Sequence, residues 1–156
     1  MNFGNCFHEI CHLWVMVYKL GVGFGRAYLA YDNGKEGMLT IEGFRNEYND
    51  YSDLVNGAEF IVAGIVGDKI NDELPSHDCV FKLFSNHYSY AQDYKWFKKL
   101  YITAERNHSI EKSECEWFHE HFQTIELYLM AHPIDILKSA ATSLLENGQF
   151  VLENKT

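Results

Sequence analysis

The sequence predicts a mainly α, compact helical fold with a small β-ribbon after the first helix, formed by residues 1–156 as a single domain. Three observations lead to this fold class. Apolar residues of the N-terminal segment recur at spacings of three and four, as in amphipathic helices. Only two prolines interrupt the chain, and proline breaks helices. Two short tyrosine- or isoleucine-containing runs flank an Asp-Asn-Gly sequence, which is typical of a hairpin turn.

The first predicted helix covers residues 2–20, with Asn2 or Asn5 as its cap. The glycine-rich stretch GVGFG at 21–25 ends it, because glycine is a poor helix former. The runs RAYLAYD and MLTIEGF, on either side of the Asp-Asn-Gly turn, predict a two-stranded ribbon near residues 26–42.

Residues 52–71 form the next predicted helix, with Ser52 as a candidate cap and small residues that permit close helix packing. A strand within FIVAGIVG is the alternative, since short apolar runs are ambiguous. A long aromatic helix is expected from Pro75-Ser76 to about residue 106. A further helix should begin near Ser109 and end at about Met130. Pro133 begins the last helix, and Asn147-Gly148 ends it.

Composition argues against some classes of partner and indicates the cellular compartment. A net charge of -9 argues against a nucleic-acid partner, because such proteins need a basic face. The apolar runs are too short to span a bilayer, and the N-terminus lacks the pattern of a secretory leader. The four cysteines form no C-x-x-C pair and suggest no disulfide framework. We therefore expect a reduced, cytoplasmic protein without a membrane partner.

The candidate site is the stretch FHEICHLW at residues 7–14, which contains the H-E-x-x-H pattern of zinc peptidases. Residues four apart share one helix face, so His8 and His12 can bind one Zn²⁺. Glu9 lies one residue further on and is the predicted general base, acting on a water molecule that zinc activates. The alternative is that both histidines are ordinary packing residues of a half-buried helix.

A catalytic zinc needs a third protein ligand and one open position. The extended motif H-E-x-x-H-x-x-G-x-x-H fails, because Val15 and Tyr18 occupy its glycine and histidine positions. Glu59 and Asp78 are the two candidates that the residues alone leave open.

Four segments in order resemble the peptidase domain of the FtsH-type, ATP-dependent zinc proteases. HEICH at 8–12 is similar to that family's HEAGH, and VAGIVGDKI at 62–70 to its LAGRxAEE helix. PSHDCVFKLF at 75–84 stands where the family has TxGAxxDLxxAT, and LLENGQFVLEN at 144–154 resembles its closing LLExExL. The resemblance implies that Asp78 is the third zinc ligand. It spans nearly the whole chain, although only HEICH is a specific motif.

The sequence departs from the family in three ways. Cys11 replaces a glycine before the second histidine, and Asp78 lacks the flanking Thr-Gly-Ala. No G-x-x-x-x-G-K-[ST] motif occurs, so we expect no ATPase module. The leading hypothesis is a zinc metallopeptidase that cuts flexible polypeptides. The alternative is a catalytically silent peptidase-like fold that binds and regulates or inhibits another protein; a scaffold without metal is a third. A homo-oligomer is left open.

Other polar residues receive simpler interpretations. Asp68 and Asp72 are expected to be surface charges at a helix end, although either could orient a histidine ligand from behind. His119 and His121 are predicted to lie on the surface, because residues two apart on a helix point to different faces. The ribbon offers an edge to which a substrate strand could add, or it is a purely structural hairpin.

Overall fold

The computed structural model describes residues 2–32, 35–43, 48–72, 74 and 79–154, with the side chains of 31, 32 and 35–38 excepted. It is mainly helical, as predicted. The helices are α1 (Phe3–Trp14), α2 (Tyr51–Ile70), α3 (Val80–Asn86), α4 (Ala91–His108), α5 (Glu114–Met130) and α6 (Ile134–Asn147). The strands are β1 (Phe24–Asp32), β2 (Lys35–Glu42) and β3 (Gln149–Glu153).

The N-terminal helix forms as the apolar spacing predicts. The Asn2 side chain caps it by accepting a hydrogen bond from the Asn5 backbone N–H at 2.8 Å. After Trp14 the helix widens into a π-helical turn, Val15–Lys19, in which the Leu20 N–H donates to the Val15 carbonyl at 3.0 Å.

Helix α2 crosses the centre of the core and contacts α1, α4 and α5. Its buried residues occupy every face of the helix, as expected for a helix surrounded by others. Asp50 caps it in a reciprocal capping box with Asp53, so the predicted cap at Ser52 is wrong by two residues. The alternative of a strand within FIVAGIVG is also wrong, because these residues are helical.

The hairpin prediction is confirmed. Strands β1 and β2 pair antiparallel, with Ala27 opposite Ile41. The sequence did not predict β3, which pairs antiparallel with the other edge of β1 and gives the order β2-β1-β3. Gly148 ends α6 with a φ of 72°, a left-handed conformation that glycine adopts without strain, and so allows the chain to turn into β3.

The single long helix expected from Ser76 to residue 106 is wrong. Two helices, α3 and α4, are separated at His87, whose backbone is extended and whose Nδ1 accepts a hydrogen bond from the Ser89 N–H at 3.2 Å. This local bond caps the short 3₁₀ turn Tyr88–Tyr90, which leads into α4. Ser76 itself lies outside the described residues.

The predictions for the last two helices are mostly confirmed. Helix α5 ends at Met130 as expected, but Ser113 rather than Ser109 caps it, in a capping box with Glu116. Ser109 instead adopts a φ of 51° at the end of α4. Helix α6 follows Pro133 and ends at Asn147. Among the described residues, no helix is long and apolar enough to cross a membrane.

Candidate metal centre

His8 and His12 of α1 meet Asp93 from the first turn of α4. Their ligand atoms converge on one point: His8 Nε2 and His12 Nε2 are 3.1 Å apart, and Asp93 Oδ2 lies 3.3 Å and 3.4 Å from them. The prediction that the two histidines of HEICH face the same way is therefore confirmed. His12 is buried, whereas the Asp93 side chain is 27% exposed, so the cluster is open to solvent on the Asp93 side.

The other nitrogen of each imidazole is held by an acceptor. His12 Nδ1 lies 2.7 Å from the Phe60 carbonyl oxygen, and His8 Nδ1 lies 3.0 Å from Asp68 Oδ2. A carbonyl can only accept, so His12 Nδ1 carries the proton and donates it. At His8 a carboxylate faces each ring nitrogen, Asp68 at Nδ1 and Asp93 at Nε2, so the metal-free ring is held in its protonated form and a metal would displace the proton on Nε2.

Two imidazole nitrogens and one carboxylate oxygen therefore converge on one point. In the metal-free protein a proton on His8 Nε2 holds them together, and a metal ion that displaces this proton would be bound by all three groups. Zinc bonds to nitrogen and oxygen at about 2.0–2.2 Å, which places tetrahedral ligand atoms about 3.3–3.5 Å apart. The separations of 3.3 and 3.4 Å from Asp93 Oδ2 fall in this range, and the 3.1 Å between the two Nε2 atoms is slightly shorter.

One stripe of α2 forms the wall behind the histidines. Phe60, Gly64 and Asp68 are spaced by four and so share a helix face. The first supplies its carbonyl and the third its carboxylate. Between them, a Cβ built on Gly64 would collide with His8 Nε2 and His12 Nε2. Glycine at position 64 therefore leaves the space in which the two ligand nitrogens meet.

A tyrosine extends the support behind His8. The Tyr90 hydroxyl donates to Asp68 Oδ2 at 2.6 Å, the same oxygen that faces His8 Nδ1. Asp68 is 9% exposed, so the prediction that it is a helix-end surface charge is wrong, and its orienting role is the one that the geometry favours. Asp72, by contrast, is exposed in the turn after α2.

The charges in the cluster support one another. Burial lowers the pKa of His8, but hydrogen bonds to Asp68 and Asp93 outweigh it and hold that pKa well above its ordinary value. Burial alone would raise the pKa of Asp93, yet His12 and His8 bring it far below the usual carboxyl range. Asp93 is therefore ionised and ready to bind a cation.

Glu9 lies beside the cluster on α1 and is half-buried. Burial raises the pKa of its carboxyl group, while the charges of His12 and His8 act in the opposite direction. A carboxylate with a raised pKa is a better proton acceptor near neutral pH than an exposed one.

The predicted third ligands have different outcomes. Glu59 is buried, but its carboxylate pairs with Lys19 Nζ at 2.8 Å, outside the His8–His12–Asp93 cluster. Asp78 lies outside the described residues, as does its neighbour His77, so the assignment of Asp78 stays a prediction. The structure supplies Asp93 at the position where a third ligand is needed.

The sequence contained no clear signal for Asp93. The family pattern TxGAxxDL fits residues 87–94 no better than residues 72–79, because neither segment has its threonine, glycine or alanine in place. An aspartate in the first turn of a helix is also common without any function, since it interacts well with the helix dipole.

The remaining histidines complete the comparison with the sequence. His121 is 4% exposed, so the prediction that it lies on the surface is wrong. His119 is half-buried and faces Cys79 rather than open solvent.

No protein-family model matches the chain, and neither a curated protein nor a solved structure is detectably similar to it. The resemblance to FtsH-type peptidase domains therefore stays a prediction from the sequence. The interpretation of the site depends on its own geometry.

Proposed function

We propose that this chain is a zinc-dependent metallopeptidase in which His8, His12 and Asp93 bind the metal and Glu9 is the general base. The observation that carries the proposal is the convergence of two imidazole nitrogens and one carboxylate oxygen within 3.4 Å of one another. Asp93 takes the place that the family resemblance gives to Asp78. Bound zinc would supply Lewis-acid chemistry to this site.

The protein's own groups divide the remaining work. Asp68 and the Phe60 carbonyl hold the two imidazoles in the tautomer and orientation that ligation requires. Glu9 takes a proton from the attacking water and later delivers it to the amine of the leaving peptide. The partly exposed Asp93 side marks the direction from which a polypeptide would reach the cluster.

The substrate class in this proposal is a flexible or unfolded polypeptide. β2 is the outer strand of the described sheet on the side away from β3, and it packs against α1, the helix that carries Glu9. A peptide in extended conformation beside this sheet would run close to the site. We place the reaction in the cytoplasm, which the four free cysteines support.

The test is proteolysis of an unfolded casein-like substrate by zinc-loaded protein. Glu9→Gln should keep its zinc and lose at least about 100-fold in kcat/KM, since general-base catalysis contributes that much or more. Glu146→Gln, an exposed glutamate on α6, is the matched control and should retain full activity.

Two outcomes would contradict the proposal. Full activity in Glu9→Gln would remove the general base from the mechanism. A zinc-loaded wild type without turnover would instead favour the protein-binding regulator, in which case wild type and Glu9→Gln should capture the same partner with equal affinity.

A further inference from the structure

A second cluster of reactive side chains lies where α3 and α5 begin. Cys79 is the exposed residue just before α3, and its Sγ is 4.0 Å from His119 Nε2. Cys115 is half-buried in the first turn of α5, one turn before His119. Residues four apart share a helix face, so Cys115 and His119 both lie on the side of α5 that meets Cys79.

Aromatic packing fixes this arrangement. The Phe84 ring stacks on the Phe118 ring at 4.9 Å, and the Phe81 ring contacts the same residue at 5.4 Å. Since Phe118 precedes His119 on α5, these contacts hold the start of α3 against the start of α5. The Ser113 capping box fixes the first turn of α5 from its other side.

The two thiols lie on the same side of this junction, because Cys79 Sγ contacts His119 and Cys115 lies one helical turn before that residue. Burial raises the pKa of the Cys115 thiol, and the neighbouring Cys79 raises it further through its charge and a side-chain hydrogen bond. The pair thus combines an exposed thiol with a nearby imidazole and a second, more protected thiol, the composition of a redox-active cysteine pair.

We propose that Cys79 and Cys115 form a reversible disulfide by exchange with a small disulfide oxidant of the glutathione class. The Cys79 thiol loses its proton to His119, and its sulfur attacks one sulfur of the oxidant. The oxidant's S–S bond breaks, and one thiol leaves with a proton. The Cys115 sulfur then attacks Cys79 Sγ in the mixed disulfide and releases the second thiol. Two protein thiols are oxidised and one oxidant disulfide is reduced to two thiols.

The new bond would link two parts of the chain that flank the metal centre. The loop between Cys79 and Cys115 contains Tyr90, which supports Asp68, and Asp93, which is the third candidate ligand. A disulfide that closes this loop restricts the unfolded chain and should therefore raise the thermal stability of the protein. The redox state of the two thiols would then affect the stability of the segment that carries Asp93.

The test is incubation of the reduced full chain with oxidised glutathione, followed by peptide mapping without reduction. Wild type should yield a Cys79–Cys115 linked peptide and a higher Tm than the reduced protein. Cys115→Ser should instead accumulate a glutathione adduct on Cys79, because no second thiol resolves it. Cys79→Ser should accumulate far less adduct, and His119→Gln should react more slowly. Cys6 and Cys11, which are buried on α1, serve as internal controls and should remain unmodified.

Other results would overturn the proposal. These are a stable adduct on Cys79 in wild type with Cys115 still free, links that involve Cys6 or Cys11, and no reaction at all. Cys79 is exposed, so the serine variant there should fold normally, and its circular dichroism spectrum checks this.

Discussion

Within the described part of the chain, histidines are buried in two places, at the candidate metal centre on α1 and at His121 on α5. His12 and His121 are almost equally hidden, with 3% and 4% of their surfaces exposed. Yet the pKa of His12 is raised, because the Asp93 carboxylate outweighs the effect of burial. The pKa of His121 is lowered by burial, and its Nε2 has no hydrogen-bond partner in the described part of the chain.

Because the two side chains are of the same type and almost equally buried, the difference between them lies in the polar groups that contact each imidazole. Both histidines belong to short histidine-glutamate motifs, HEICH and HEH. Among the described residues, only the first motif has an acceptor behind each imidazole and a carboxylate in front that could be a third metal ligand. His121 packs edge-on against the Trp117 ring, at a centroid distance of 4.7 Å, and acts as a core residue. The following predictions test this contrast, in order of decreasing effect.

Exchange of one histidine for glutamine in each region should separate the two directly. His12→Gln removes a ligand and should weaken zinc binding by more than about 100-fold, since even residues behind the ligands are worth 10- to 100-fold. His121→Gln should bind zinc like wild type. Competition with a fluorescent chelator measures both affinities. Equal loss in the two variants would mean that burial, not ligation, explains the effect.

Gly64→Ala should damage the centre sterically while leaving every ligand in place. Its new Cβ would collide with the ligand nitrogens of His8 and His12. We expect weaker zinc binding and a loss of about 1–3 kcal/mol in the free energy of unfolding, as for other overpacked cores. Equilibrium dialysis and urea unfolding are the measurements.

Gly57→Ala, on the same helix, is the matched control for that substitution. Its Cβ would meet Leu100 Cδ1 at 2.9 Å and the Tyr48 ring at 3.0 Å, and its nearest neighbours include no candidate ligand atom. This variant should keep wild-type zinc affinity. Unchanged zinc binding in Gly64→Ala would show that α2 does not form the wall of the site.

Tyr90→Phe tests the support behind His8. Without the hydroxyl, Asp68 loses one of its two hydrogen bonds, and we expect zinc affinity to fall by about tenfold. Tyr88→Phe, at a fully solvated tyrosine nearby, should change nothing. Chelator competition measures this zinc affinity as well. An unchanged affinity in Tyr90→Phe would show that Asp68 orients His8 without the Tyr90 hydroxyl.

The two regions should also differ in the pH dependence of stability. His121 has a folded pKa below its unfolded value of about 6.5. It therefore favours the folded state above that pH and destabilises it as pH falls, because the unfolded chain binds the proton more readily. His121→Phe should remove this effect, so its stability advantage over wild type should grow between about pH 7 and pH 5.

His8 should show the opposite sign in the metal-free protein. Its folded pKa is raised, so its contribution is present below the unfolded pKa and disappears as pH rises through the folded pKa. Urea unfolding at several pH values, with chelator present, measures both. A constant difference between His121→Phe and wild type across this range would contradict the account of His121.

Local features of the molecule were predictable from the sequence, and long-range ones were not. The first helix, the hairpin and the capped last helix depend on neighbouring residues, and their patterns were visible. Asp93 approaches His8 across 85 residues, and β3 pairs with β1 from the far end of the chain. No local pattern encodes such meetings. The break at His87 was missed because a single side-chain hydrogen bond interrupts an otherwise helical run.

The candidate site shows the same division. HEICH predicted that His8 and His12 share one helix face, since that relation depends only on helical spacing, and the structure brings their Nε2 atoms within 3.1 Å of each other. The role of Glu9 as general base stays a prediction. The role of Asp68 depends on how α1 packs against α2, and so its position near a helix end suggested a surface charge. The third ligand depends on where α4 begins relative to α1, which the sequence does not specify.

The most direct test of the central claim is zinc binding by three proteins: wild type, Asp93→Asn and Asp78→Asn. Calorimetric titration should give one zinc per wild-type chain, a greatly weakened site in Asp93→Asn and wild-type affinity in Asp78→Asn. Zinc binding should also increase the free energy of unfolding of wild type by about 2.7 kcal/mol when zinc is at one hundred times its Kd. The Tm should rise accordingly. No zinc bound by wild type, or undiminished binding in Asp93→Asn, would contradict the assignment of His8, His12 and Asp93 as one metal centre.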